Sequence, residues 1–100
     1  MTLKKIHSIN KTKLQLDNEC LTITGIQDND VLLTNKSNLV LSGMLNGSLF
    51  ISEDSDATIN GVINGSIFGH GSVTISGIVN GSIHPALKCT IIDGAIIKNI

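Results

Sequence analysis

The feature that most constrains this chain is a nine-residue pattern that recurs along it. Leu41-Ser-Gly-Met-Leu-Asn-Gly-Ser-Leu49, Ile59-Asn-Gly-Val-Ile-Asn-Gly-Ser-Ile67 and Ile75-Ser-Gly-Ile-Val-Asn-Gly-Ser-Ile83 share one form. It reads aliphatic, x, Gly, x, aliphatic, Asn, Gly, Ser, aliphatic. A weaker copy, Ile23-Thr-Gly-Ile-Gln-Asp-Asn-Asp-Val31, lies upstream. Its second glycine is replaced by Asn29, a residue type that tolerates left-handed backbone. A partial copy, Ile92-Asp-Gly-Ala-Ile96, closes the series, although its Asp93-Gly94-Ala95-Ile96 also aligns with the Asn-Gly-Ser-Ile stretch of the motif. The first glycines fall at 25, 43, 61, 77 and 94, a period of 16 to 18 residues.

That period selects an architecture. A hairpin meander carries turn signals every 8–12 residues or so, and leucine-rich, ankyrin and tetratricopeptide units are all longer than this one. A repeat of this length fits one coil of a three-sided solenoid, with faces of roughly four residues at a rise of about 3.3 Å per residue. Side chains of equal phase then stack about 4.8 Å apart, and each coil covers the inner face of its neighbour. The sequence therefore predicts an all-β chain, a small three-sided β-solenoid of about five coils. Residues 1–22 form an N-terminal cap or first irregular coil, 23–97 the repeats, and 98–100 the C-terminal end.

The columns follow from the phase. Ile23, Leu41, Ile59, Ile75 and Ile92 form one inward column, Leu45, Ile63 and Val79 a second, and Val31, Leu49, Ile67 and Ile83 a third. Gly43, Gly61 and Gly77 share the inward parity and mark where the coil narrows or bends. Asp28, Asn46, Asn64 and Asn80 form a polar column. The repeat makes this a corner ladder of stacked amides rather than a ligand-binding stripe.

Length variation is expected on one side only. Ten residues carry Val31 to Leu41 and Leu49 to Ile59, eight carry Ile67 to Ile75, and nine carry Ile83 to Ile92. In repeat proteins such insertions gather on one face, often the binding face. That side holds Lys36, Glu53-Asp54-Ser55-Asp56, Gly69-His70-Gly71, His84-Pro85-Ala86, and an outward column of Leu32, Phe50, Phe68 and His84. The candidate partner-binding residues are Phe50, Phe68, His70 and His84 with the acidic Glu53, Asp54 and Asp56.

The three clean copies resemble the bactofilins, bacterial β-helical proteins that polymerise head to tail. The likeness lies in Leu41-x-Gly-x-Leu-x-Gly-x-Leu49, Ile59-x-Gly-x-Ile-x-Gly-x-Ile67 and Ile75-x-Gly-x-Val-x-Gly-x-Ile83, and it covers about residues 23 to 97. The resemblance implies a right-handed, three-sided β-helix and filaments that form without nucleotide.

The two ends differ in chemistry. Four of the seven Lys (Lys4, Lys5, Lys11 and Lys13) fall in the first thirteen residues, as in a charged cap or edge guard. Lys4 and Lys5 alone are thin grounds for membrane-surface contact. The last ten residues hold five Ile and little charge. They read as a last coil with inward Ile, or as an uncapped end that pairs with another copy. In the second case Ile91, Ile92, Ile96, Ile97 and Ile100 are the candidate self-association residues.

Sites that resemble chemistry carry weak signals. The net charge is −1 and there is no Arg, which argues against a nucleic-acid partner. His7, His70 and His84 lack metal-ligand spacing, and His70 and His84 read as exposed corners. Glu53, Asp54 and Asp56 lack the remainder of a calcium loop and read as a solvated corner. Hexapeptide-repeat acyltransferases are also β-helical, but the glycine spacing here is not six. Cys20 and Cys89 each stand five residues before a motif glycine. They are expected in one column, four coils and about 19 Å apart, too far for a disulfide. No signal peptide or membrane-spanning run is legible, so a cytoplasmic location is expected. No cofactor, metal or enzymatic activity is expected. Two readings remain: a self-associating scaffold whose partner is itself, or a protein-binding module, such as an immunity protein that blocks a toxin through the irregular side.

Overall fold

Each pass of the pattern folds as three short strands joined by corners. Its aliphatic residues alternate at period two, and its Asn, Gly and Ser residues supply the bends. The computed structural model describes residues 2–84, 86–92 and 94–99, with backbone alone at 2, 3, 98 and 99. The first turn holds β1 (Thr2–Ile6), β2 (Ile9–Asn10) and β3 (Leu14–Asp17), and the second β4 (Glu19–Ile23), β5 (Ile26–Gln27) and β6 (Val31–Thr34). The third holds β7 (Asn38–Leu41), β8 (Met44–Leu45) and β9 (Leu49–Ile51), and the fourth β10 (Asp56–Ile59), β11 (Val62–Ile63) and β12 (Ile67–Gly69). The fifth holds β13 (Ser72–Ile75) and β14 (Ile78–Ser82) and reaches the third face through a bridge from Ile83 to Ile67. Strands β15 (Lys88–Ile91) and β16 (Ile96–Asn99) lie beyond it.

Stacking the turns makes three parallel sheets. Their orders are β1-β4-β7-β10-β13-β15, β2-β5-β8-β11-β14-β16 and β3-β6-β9-β12. The chain is thus an all-β, three-sided solenoid of about five turns, with most spacings at 16 to 18 residues. The first turn pairs in register with the second, Ile6 on Ile23 and Leu14 on Val31, so the N-terminal segment is a true turn of the coil.

The core is one aliphatic stack. Ile23, Leu41, Ile59 and Ile75 are fully buried, as are Leu45, Ile63 and Val79, and Val31, Leu49 and Ile67. A side chain of this kind contributes about 1.5–3 kcal/mol when wholly buried. The chain therefore builds a dry interior without Trp or Tyr. The amide ladder forms: Asn80 Nδ2 donates to Asn64 Oδ1 at 2.7 Å, and Asn64 Nδ2 to Asn46 Oδ1 at 2.8 Å. All three amides are exposed at their corner.

Four expectations are corrected. The residue that stacks on Ile75 is Ile91, not Ile92, because β15 follows β13 at a spacing of 16. Ile96 then pairs with Ile78 and Ile97 with Val79, a spacing of 18, so Gly94 is not the counterpart of Gly77. The two extra residues enter the corner between the first and second faces, closed by the Ala95 N–H to Ile92 carbonyl bond of 3.0 Å. Length variation is therefore not confined to one side. The same slip separates the cysteines: Cys20 shares its column with Asn38, Asp56, Ser72 and Lys88, while Cys89 follows Val73 in the column of Leu21. They do stand four turns apart, and no disulfide joins them. Finally, Asn29 does not use left-handed backbone; among the described non-glycine residues Asn18, Asn35 and Lys36 do, all in the corner between the third face and the first.

Candidate functional site

The last described strands of the stack, β15 and β16, present apolar side chains. Ile91 continues the fully buried column of Ile59 and Ile75, yet it is 51 % exposed because no described turn lies over it. Ile97 continues the column of Ile63 and Val79 and is half-buried against the core. Cys89 also occupies an inward phase and is exposed, and partial burial pushes its thiol up. Ile92 and Ile96 are 47 % and 49 % exposed at the rim, Ile92 in the corner and Ile96 at the phase of Val62 and Ile78. Ile100 lies outside the described residues. The five expected isoleucines thus divide: two lie in core columns, two on the rim, and one outside the description.

The third face carries the aromatic column. Leu32 pairs with Phe50 and Phe50 with Phe68. The two rings meet edge to face, centroids 5.8 Å apart, a geometry that complements the ring quadrupoles. Phe68 is 42 % exposed, and a shallow cavity of about 170 Å³ beside the rings is lined by Lys13, Asp30, Ser48 and Leu32. His70 and His84 are exposed and pack edge to face with each other at 6.3 Å. They sit at the end of this face, and Pro85 lies outside the described residues.

Glu53, Asp54 and Asp56 are exposed at the neighbouring corner. A hydrogen bond from the Ser52 hydroxyl, then one from the Lys36 backbone N–H, hold the Asp54 carboxyl below its usual range. Between them Ser55 is buried. Its hydroxyl accepts from the Ser37 N–H at 3.1 Å, and the buried Ser37 hydroxyl donates to the Thr34 carbonyl at 2.6 Å. Phe50, Phe68, His70 and His84 therefore share one broad surface, with the acids along one border.

The N-terminal end holds what the sequence reading missed. Lys4 occupies the inward phase above Leu21 and ion-pairs with Glu19 at 2.8 Å. That bond, then the Asp17 backbone N–H, holds Glu19 below the usual carboxylate range. Gln27 occupies the phase of Leu45 and Ile63 and is fully buried. Its Oε1 accepts from Asn10 Nδ2 and its Nε2 donates to the Thr12 carbonyl, both at 2.7 Å. A cavity of about 560 Å³ opens at this end, between Lys4, Lys5 and His7 on one hand and Leu14, Leu16 and Leu21 on the other. The signal was present in the sequence: polar residues stand at the inward phase at 4, 10 and 27, where later copies carry aliphatics.

Among the described residues no group of three or more His, Cys, Asp or Glu is arranged to hold a metal ion, and no helix is long and apolar enough to cross a membrane. No family model, curated protein or solved structure matches this chain.

Proposed function

We propose that this chain is a non-enzymatic β-helical scaffold that self-associates end to end, in the manner of the bactofilins, with the C-terminal end of its coil as a contact surface. The observation that carries this reading is Ile91. It stands in a column that is otherwise dry, and half of its surface is open. An open solenoid end joins a bare core to a row of unpaired strand groups, a template for another copy of the same edge. Ile97 and Cys89 extend the apolar surface. The test is mass in solution, by light scattering behind a sizing column at several protein concentrations. Species that grow with concentration are expected, and Ile91→Lys should return them to monomer. A monomer of constant mass across the series would remove the reading.

A second reading is favoured by a different observation. The Phe50 and Phe68 rings are packed on each other yet partly open, and exposed Glu53, Asp54 and Asp56 lie nearby. Aromatic anchors bordered by polar groups suit a protein-binding hot spot. In this reading the chain is a binding module, such as an immunity protein that neutralises a toxin. Phe50→Ala with Phe68→Ala would then abolish partner capture while leaving end-to-end association intact. Loss of association in that double variant, with capture unchanged, would reverse the assignment of the two surfaces.

A further inference from the structure

One pair of residues recurs where the chain leaves the second face. Asn46-Gly47, Asn64-Gly65 and Asn80-Gly81 stand there in successive turns, and a fourth pair, Asn60-Gly61, stands at the corner between the first face and the second. The fold demands both members. The asparagines stack as the amide ladder. A Cβ at position 47 would meet the Asn29 carbonyl carbon at 2.7 Å in the turn below, and one at position 65 would run into the Gly47 carbonyl oxygen. Glycine is what lets the turns approach there.

Asn followed by Gly is also a reactive pair. The glycine nitrogen, once it loses its proton, attacks the side-chain carbonyl carbon of the asparagine before it, and no Cβ hinders the approach. The structure sorts the four pairs by whether that nitrogen is available. The Gly61 N–H donates to the Leu41 carbonyl at 2.9 Å and is held between turns. Gly81 lies inside strand β14. Among the described residues nothing accepts from the N–H of Gly47 or of Gly65.

The amides are sorted as well. Asn46 is exposed, so water reaches it and ammonia can leave. Its Oδ1 accepts from Asn64 Nδ2 at 2.8 Å, and that oxygen is where negative charge develops on attack. Its Nδ2, the leaving nitrogen, is bonded to no described group. Asn64 receives the same kind of donor from Asn80, but its own Nδ2 is tied to Asn46.

We propose that Asn46 is a self-modification site, converted to aspartate and isoaspartate by the Gly47 backbone. The Gly47 nitrogen gives its proton to hydroxide and bonds to Asn46 Cγ. The Cγ–Nδ2 bond breaks, and Nδ2 takes a proton from water and leaves as ammonia. Water then adds to one carbonyl of the succinimide and opens the ring. Opening at one carbonyl gives aspartate; opening at the other gives isoaspartate, whose main chain carries an additional carbon between β8 and β9. Either product strains the stack. The new carboxylate stands in the column of Asp28, one turn or about 4.8 Å away. The added carbon disturbs the register of Leu45 and Leu49 with the turns on both sides. The site lies in the central turns and does not depend on the self-association reading.

The test holds the folded chain at mildly alkaline pH in water enriched in heavy oxygen. Peptide mass spectrometry over time reads the oxygen gained at each converted asparagine, and an isoaspartyl methyltransferase assay reads the isomerised product. Asn46 should convert first, Asn64 more slowly and Asn60 not at all, with rates proportional to hydroxide. In urea all four pairs should convert at comparable rates. Asn64→Ala should slow Asn46 by about fivefold, as expected for one lost hydrogen bond.

Asn60 is the internal report of folding. A variant in which Asn60 converts has unfolded, and the wild-type order then decides the matter alone. Equal rates at Asn46 and Asn60 in the wild type would overturn the proposal, because the reaction would then run through the unfolded chain. So would an unconverted Asn46 when the urea sample has finished. Faster conversion of Asn46 in folded Asn64→Ala would overturn it too, since the ladder would then shield the amide rather than activate it.

Discussion

Gly61→Ala tests the stacking of turns directly. The backbone of Gly61 is not in the left-handed region, so an alanine there carries no conformational strain of its own. The obstacle is space. A Cβ at position 61 would run into the carbonyl oxygen of Gly43 in the turn below, with the carbonyl carbons of Gly43 and Ser42 at 2.9 Å. These are backbone atoms of a packed coil, and they cannot rotate away. That same Gly43 carbonyl accepts the Val62 N–H at 3.0 Å, and the Gly61 N–H donates to the Leu41 carbonyl at 2.9 Å. Forcing the turns apart costs about 1–3 kcal/mol as overpacking, and weakening one ladder bond adds about 1 kcal/mol. A total of about 2–4 kcal/mol lowers the melting temperature of a chain this short by roughly 10–25 °C. Urea and thermal unfolding, followed by far-ultraviolet circular dichroism, would measure it.

Gly94→Ala is the matched comparison. Nothing lies within 4 Å of a Cβ there, but φ is +94°, so the change is opposed only by local backbone strain of about 1–2 kcal/mol. That strain falls in an end corner and should barely move the melting of the central turns. The ordering is the result that matters. A Gly61→Ala protein within about 0.5 kcal/mol of wild type would refute the stacked-turn geometry at the glycine corner.

Other outcomes follow from single features. Glu19 titrates below its ordinary value of 4.5, held there chiefly by Lys4. Its contribution to stability is therefore present above that ordinary value and lost as pH falls through the lowered folded one. Urea midpoints between pH 6 and 2 should show a smaller acid-side loss in Lys4→Gln than in wild type. Asn64→Asp removes the donor to Asn46 while keeping the acceptor for Asn80, and should cost about 0.5–1.5 kcal/mol by urea unfolding. Equal stability would mean that the exposed amide ladder contributes nothing. The Cys89 thiol is exposed at the apolar end with its pKa raised by partial burial. Maleimide labelling at Cys89 should accelerate as pH rises and should block self-association; a labelled protein that still associates would move the contact away from this end.

The polar first turn shows how a correct period can be applied too narrowly. Lys4, Asn10 and Gln27 are visible at the inward phase once the register is extended upstream of the first clean copy. Grouping Lys4 with Lys5, Lys11 and Lys13 as a charged cap or edge guard passes over its inward phase above Leu21. The last turn shows the reverse fault, since Gly94 matched the pattern in sequence but not in space. A glycine can satisfy a motif by identity alone, whereas pairing in β15 and β16 was decided by which aliphatics could reach the core columns.

The sequence by itself determined the architecture: a period near 17, aliphatics alternating at two, and Asn-Gly-Ser corners admit little besides a three-sided coil. It also determined the interior columns of the central turns and the amide ladder, because equal phase in a stacked repeat means contact. Only the tertiary structure decided what happens where stacking ends. There a residue's burial depends on whether a further turn covers it, and that is a property of the whole stack. So Ile75 and Ile91, identical in type and phase, differ completely in exposure. Lys4 occupies the phase of buried Leu21 without lying in a core, because its ammonium is drawn out to Glu19.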